Sequence, residues 1–173
     1  MSSGIQPNPV PARVSKARHD LRNPLGEIIG FADILREESG ELSNGALQPA
    51  FAALSAEANA LLTQLNHTLE LENLRLHPAS VPALLAASAA YCDRVTTEAR
   101  SLSAECAALP GRPFLDDLER ILAAARHLAE RAPLLLADLY ESEHDLVSFR
   151  TLGRADDAFD GGVSGDTIFL RKP

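Results

Sequence analysis

The stretch VSKARHDLRNPLGEIIGFADIL, residues 14–35, is the most informative segment for the fold of this chain. Four large apolar residues recur in it every seven positions, and a further apolar residue, alanine or leucine, stands between each two of them. The set is Val14, Ala17, Leu21, Leu25, Ile28, Ala32 and Leu35. This spacing draws one apolar stripe along an α-helix and predicts that the helix packs in a bundle. On the same spacing His19 stands opposite the stripe, so its imidazole is predicted to face solvent.

The composition of the rest of the chain predicts helices as well. Of the 173 residues 46% are hydrophobic, yet there is no Trp and there are only two Tyr and six Phe. The apolar residues are mainly Ala and Leu, which favour helices, whereas the aromatic and β-branched residues that favour strands are scarce. We therefore predict an all-α protein, an antiparallel bundle of four long helices built on a helical hairpin.

Prolines and glycines divide the chain into three regions. Residues 1–12 contain three prolines and are predicted to form a flexible leader without a helix. Residues 13–144 are predicted to form the bundle. Residues 145–173 gain four glycines and are interpreted as a tail: a linker, a small hairpin from two β-prone runs at 146–152 and 167–170, or the start of a further domain.

Within the bundle, the ends of the helices follow from turn residues. A loop is expected over 37–45, and Pro49 is expected in the first turn of the second helix. His77-Pro78 ends that helix, and Pro133 is expected to kink or split the last one. The second, third and fourth helices are predicted at about 47–75, 81–109 and 114–143.

The charge and the hydropathy of the chain argue against nucleic acid and a membrane as partners. The formal net charge is −8, which argues against nucleic acid as a partner and is compatible with a protein partner. No stretch approaches the roughly 20 apolar residues of a membrane span, and the first residues lack the pattern of a signal peptide. Cys92 and Cys106 are predicted to be reduced and buried. We therefore predict a cytoplasmic protein without a membrane partner.

His19 and Asp20 are the candidate reactive residues in this sequence. A histidine that accepts a phosphoryl group has to be neutral, exposed and oriented by a neighbour. The Asp20 carboxylate can hydrogen-bond one ring nitrogen and leave the other free. Arg22 lies three residues beyond His19 on nearly the same face, where it can hold a phosphate or pair with an acidic neighbour. An exposed His-Asp pair on a helix is also a common surface feature.

The order His19-Asp20-Leu21-Arg22-Asn23-Pro24-Leu25 resembles the H-box of sensor histidine kinases, which lies in their dimerisation and phosphoacceptor domain. The resemblance implies that His19 carries a phosphoryl group and that Asp20 assists as a base. It also implies that Asn23, with Asp20, supports phosphatase activity by positioning a water. The implied partners are a response-regulator receiver domain and a second copy of the chain in a homodimer. The candidate site is His19, Asp20, Arg22 and Asn23.

The second half of the chain lacks the motifs of the ATP-binding domain of a complete kinase. It contains no Asn-x-x-x-Asn, and its glycine-rich segment at 160–165 lies close to the end. We therefore expect no cofactor and no autophosphorylation from ATP, so a phosphoryl group would come from another protein. The cysteines and histidines show no metal-ligand spacing, and no metal site is expected.

Two arrangements of the helices and two functions stay open. In one arrangement, which we slightly favour, the helix over 47–75 partners the H-box helix and two chains make the four-helix bundle. In the other, residues 114–128 resemble the second helix of histidine-kinase-like modules that precede cyclase or phosphatase domains, and one chain completes the bundle. The first function is phosphoryl transfer at His19. The second is a non-catalytic dimerisation or signal-relay module of a larger regulatory protein.

Overall fold

The computed structural model describes residues 10–41, 45–111 and 114–156 of the chain, and every regular element in them is an α-helix. The all-α prediction is therefore confirmed. The helices are α1 (Val10–Glu41), α2 (Gln48–Thr68), α3 (Leu71–Leu76), α4 (Ser80–Ala107) and α5 (Leu115–Asp156). None of the described helices is long and apolar enough to cross a membrane.

The four long helices close a bundle within one chain. Helix α1 packs between α2 and α5, and α4 packs against α5 and α2, so α1 and α4 lie on a diagonal. The structure combines the two arrangements considered: α2 packs beside α1, as in the first, and a single chain completes the bundle, as in the second. A second chain is not required to close it.

The apolar stripe of α1 is buried as predicted. All seven residues of the stripe are at most 2% exposed. The stripe packs into one continuous core with residues of the other long helices, for example Leu65, Leu84 and Ile121. Burying a leucine or isoleucine side chain contributes about 1.5–3 kcal/mol, so this stripe is the main reason that α1 is held in the bundle.

Side-chain contacts between α1 and α5 show the relative direction of the two helices. Arg13 of α1 pairs with Asp138 of α5 at 3.4 Å. Asp20, seven residues further along α1, pairs at 3.6 Å with Arg131, which lies seven residues before Asp138 in α5. Phe31 follows Asp20 by eleven residues, and Arg120 precedes Arg131 by eleven. The Phe31 ring lies 5.2 Å from the guanidinium carbon of Arg120. The two helices are therefore antiparallel in one fixed register.

Several predicted ends of helices are wrong. Helix α1 begins at Val10, inside the predicted leader, because Pro11 falls in the first turn where its missing N–H costs nothing. It also continues through Glu41 into the predicted loop. The predicted second helix is broken at residues 69–70, where the Asn73 side chain donates to the His67 carbonyl at the end of α2.

Helix α5 is longer than predicted. It passes Pro133 without being split, so only one backbone hydrogen bond is lost at that position. It continues through Asp156, and the predicted strand over 146–152 is helical instead. The second β-prone run, 167–170, lies outside the described residues, as do residues 1–9 of the leader. The division into a bundle and a tail at residue 144 stays a prediction.

Candidate functional site

His19 lies on the solvent-facing side of α1, as the spacing predicted. Its side chain is 72% exposed, whereas Leu21, two residues further on, is fully buried. An imidazole in this position is accessible from solvent, and of its two nitrogens Nδ1 contacts a neighbouring side chain, that of Asp20.

The Asp20 carboxylate bridges His19 and the neighbouring helix α5. Its Oδ1 lies 3.3 Å from Nδ1 of His19, and its Oδ2 lies 3.6 Å from Nη2 of Arg131. The Asp20 side chain is only 18% exposed, because it sits at the edge where α1 meets α5. When Nδ1 of the neutral imidazole donates to Oδ1, Nε2 keeps its lone pair and faces solvent, which is the form that a nucleophile needs.

Pro24 loosens α1 directly beside this pair. Proline has no N–H, so the backbone carbonyl of Asp20, four residues earlier, lacks its partner within the helix. Pro24 itself is buried against the core, which holds the ring in place. The carboxylate of Asp20 therefore emerges from a turn with an incomplete backbone hydrogen-bond ladder.

Arg22 and Asn23 line a groove with His19. The groove is shallow, has a volume of about 840 Å³ and runs along α1 past Gly26 and Gly30. A Cβ atom added at either glycine would meet no atom within 4 Å, so both positions face open space. At the far end of the groove, Ile34 is 42% exposed. The groove thus joins a nucleophilic and cationic end to an apolar end.

The structure divides the four predicted site residues between two sides of α1. His19, Arg22 and Asn23 line the groove, whereas Asp20 lies on the adjacent side of the helix, where its carboxylate contacts both His19 and Arg131 of α5. No hydrogen bond links Asn23 or Arg22 to His19 among the described residues. Asn23 stands one helical turn beyond His19, the distance at which two side chains can contact one ligand.

The local charge is opposite to that of the whole chain. Between residues 13 and 22 there are four basic residues and one acidic residue, a balance of +3, although the chain carries −8. The basic residues are Arg13, Lys16, Arg18 and Arg22. Arginine forks match the geometry of phosphate oxygens, so this end of α1 favours a phosphoryl group and an acidic partner surface.

Sequence reasoning did not identify Arg131 as a residue of the site. Its side chain is 48% exposed, and its guanidinium contacts the Asp20 carboxylate. Nothing in the local sequence of α5 marks this arginine; only the register between α1 and α5, which is a long-range property, brings it to Asp20. Gly26, Gly30 and Ile34 lie near the H-box in sequence, and their exposure could have been inferred from the same helical spacing that exposes His19.

The two cysteines lie away from this site in the core of α4. Both are free and buried, as predicted. Burial raises the pKa of the Cys92 thiol to about 11 and raises that of Cys106 as well, with a smaller contribution from neighbouring carboxylates. Thiols with raised pKa values are poor nucleophiles, so neither cysteine competes with His19 as a reactive group.

The comparison with protein families gives one match. Residues 13–76 match the His Kinase A (phospho-acceptor) domain. No curated protein and no solved structure shows a significant match to the chain. The matched segment holds α1, α2 and α3, which supports α2 as the hairpin partner of α1. Helix α5, outside the match, packs on the other side of α1. Residues 13–76 of this chain therefore resemble the His Kinase A (phospho-acceptor) domain, and α4 and α5 complete the bundle around them.

Proposed function

We propose that this chain is a cytoplasmic module of a two-component signalling system in which His19 exchanges a phosphoryl group with the aspartate of a response-regulator receiver domain. The observation that carries the proposal is the geometry of His19: an exposed imidazole whose Nδ1 contacts a carboxylate, within a segment that matches the phosphoacceptor domain. The two buried, free thiols support a reducing compartment.

The proposed step is a displacement at phosphorus. The lone pair of Nε2 forms the N–P bond, the P–O bond of the receiver's aspartyl phosphate breaks, and the aspartate leaves as a carboxylate. The ring then carries a positive charge, with the proton still on Nδ1 and facing Asp20. Arg22 supports the phosphoryl oxygens from the groove side. The reverse step returns the phosphoryl group to a receiver.

Asn23 is proposed to act in hydrolysis rather than in transfer. Its exposed amide stands one turn from His19 on the wall of the groove. When a phosphorylated receiver docks there, the amide can hold a water in line with the aspartyl phosphate. The Asp20 carboxylate contacts Arg131 of α5 and does not line the groove, so Asn23 is the one of these two residues that faces a receiver docked there.

The experiment is a transfer assay against every receiver domain encoded in the same genome. Each receiver is charged with radiolabelled acetyl phosphate and mixed with wild type or with His19→Ala. We expect labelling or receiver dephosphorylation with wild type that is lost in His19→Ala. His127→Ala, an exposed histidine on α5, serves as the matched control. If no receiver in the complete set gives a His19-dependent signal, the proposal fails.

A second candidate function is a non-catalytic relay in a larger protein of the cyclase or phosphatase type, and the length of α5 favours it. In the register set by Arg13 and Asp138, residue 10 at the start of α1 lies beside residue 141 of α5. The helix continues another 15 residues to Asp156, about 22 Å. A rigid helix of that length can pass a rotation or shift of the bundle to whatever follows. Regulation that survives in His19→Ala would favour the relay.

The homodimer that the resemblance implies would have to join completed bundles. The apolar positions that a hairpin would offer to a second chain are already covered by α4 and α5. We propose that a homodimer of this chain forms through the outer faces of two closed bundles. Sedimentation of the full chain over a range of concentrations measures whether it forms.

A further inference from the structure

The contact between Arg131 and Asp20 extends the candidate site beyond the segment that matches the phosphoacceptor family. The guanidinium comes from α5, and its Nη2 lies 3.6 Å from Oδ2 of Asp20. The other carboxylate oxygen, Oδ1, is the one that contacts His19. Each oxygen of one carboxylate therefore has its own partner, and the orientation of the carboxylate depends on both.

Neighbouring contacts fix the place of Arg131 along α1. The pair Arg13–Asp138 lies one heptad to one side, and the Arg120–Phe31 contact lies on the other side. A shift of α5 by one residue would break all three contacts together. The position of the guanidinium beside Asp20 is thus a property of the α1–α5 register and not of a single mobile side chain.

We propose that Arg131 is a positioning residue for His19, acting through Asp20. An aspartate side chain that sits beside a histidine in sequence can adopt other rotamers and turn away from the ring. A cation on Oδ2 favours the rotamer in which Oδ1 faces Nδ1. This keeps the proton on Nδ1 and the lone pair on Nε2, the nitrogen that faces solvent. The role in transfer rests on the proposed function; the role in fixing the tautomer does not.

The proposal makes α5 a part of the site. In it, the matched segment supplies the nucleophile and its carboxylate, and the part of the chain beyond residue 76 supplies the group that holds the carboxylate. Any movement of α5 along α1 would then change the reactivity of His19 without moving the histidine itself.

The test compares two substitutions at Arg131 with a matched one. Arg131→Met removes the cation and keeps most of the stem, whereas Arg131→Lys keeps a cation that can reach Oδ2. Arg126→Met is the control, because Arg126 is exposed on the same helix and makes no ion pair with the described residues. An exposed ion pair contributes little stability, so all three variants should melt within a few degrees of wild type.

The first readout is NMR of the His19 ring nitrogens in the full chain, which needs no partner. We expect the proton on Nδ1 in wild type, Arg131→Lys and Arg126→Met, and a shift toward the tautomer with the proton on Nε2 in Arg131→Met. An unchanged tautomer in Arg131→Met would overturn the inference, whatever happens in the transfer assay.

The second readout is the rate of transfer from the receiver that labels wild type. Arg131→Met should lower the maximal rate about tenfold, as loss of an orienting partner does, and leave the receiver concentration at half-maximal rate unchanged. Arg131→Lys should recover most of the rate. Wild-type rates in Arg131→Met, with His19→Ala inactive, would refute the inference and leave the proposed function standing. If no receiver labels wild type, the proposed function fails and the NMR readout alone decides the inference.

Discussion

Two leucines on α5 offer a matched test of the way in which this helix closes the bundle. Leu128 is 1% exposed and packs in the core, whereas Leu134, six residues further on, is 70% exposed. Leu128→Ala and Leu134→Ala delete the same atoms from the same helix. Any difference between the two variants therefore reports the packing of α5 and not its intrinsic helix propensity.

The expected magnitude follows from burial. Truncating a fully buried leucine costs about 2–5 kcal/mol, and we expect about 3 kcal/mol for Leu128→Ala because its neighbours along α5, Ile121, Ala125 and Ala132, are buried too. Leu134→Ala should change the free energy of unfolding by less than about 0.5 kcal/mol, since alanine and leucine are both good helix formers.

Urea denaturation followed by circular dichroism measures both variants. With a slope of about 1.5–3 kcal/mol per molar, Leu128→Ala should lower the midpoint by about 1–2 M, and Leu134→Ala should leave it nearly unchanged. Both variants are compared with wild type at one protein concentration, because a homodimer of closed bundles would make the midpoint depend on concentration. Equal, small effects of the two substitutions would refute the burial of this face of α5 in the bundle. Midpoints that rise with concentration would show that a second chain stabilises the fold.

Three further predictions concern the H-box face and the core. Asn23→Ala should slow receiver dephosphorylation about tenfold or more while leaving the labelling of His19 intact, measured by release of inorganic phosphate. Gly30→Ala should raise the free energy of unfolding by about 0.5–1 kcal/mol, since the new methyl group meets no atom and the helix loses a flexible residue. The Cys92 thiol stays protonated in the folded chain up to about pH 11, whereas in the unfolded chain it ionises near pH 9. Stability should therefore fall by about 2 kcal/mol as pH rises from 9 to 11, less so in Cys92→Ala, measured by urea titration at each pH.

The sequence allowed the fold class and the orientation of His19 to be predicted, because both follow from a period within one helix. The apolar stripe from Val14 to Leu35 fixes which side of α1 is buried, and His19 lies opposite it. The break at residues 69–70 could not be predicted in this way. It depends on one side-chain contact, from Asn73 to the His67 carbonyl, and helical periodicity continues through it.

Contacts between helices lay beyond local reasoning. The sequence left open whether α2 or the helix beginning near residue 114 stands beside α1, and the structure places both there. Arg131 was not identified as a site residue for the same reason. Its partner, Asp20, is more than a hundred residues away in sequence, and only the antiparallel register of α1 and α5 brings the two together.

We propose that His19 is the phosphoacceptor, and chemical phosphorylation is the sharpest test of that claim. The full chain is treated with phosphoramidate, the modified residues are mapped by mass spectrometry, and the charged chain is then mixed with the complete set of receiver domains. We expect His19 to be modified ahead of the exposed His67, His77 and His127, and its phosphoryl group alone to pass to a receiver aspartate. Equal modification of the exposed histidines, with no transfer from His19 to any receiver, would contradict the claim.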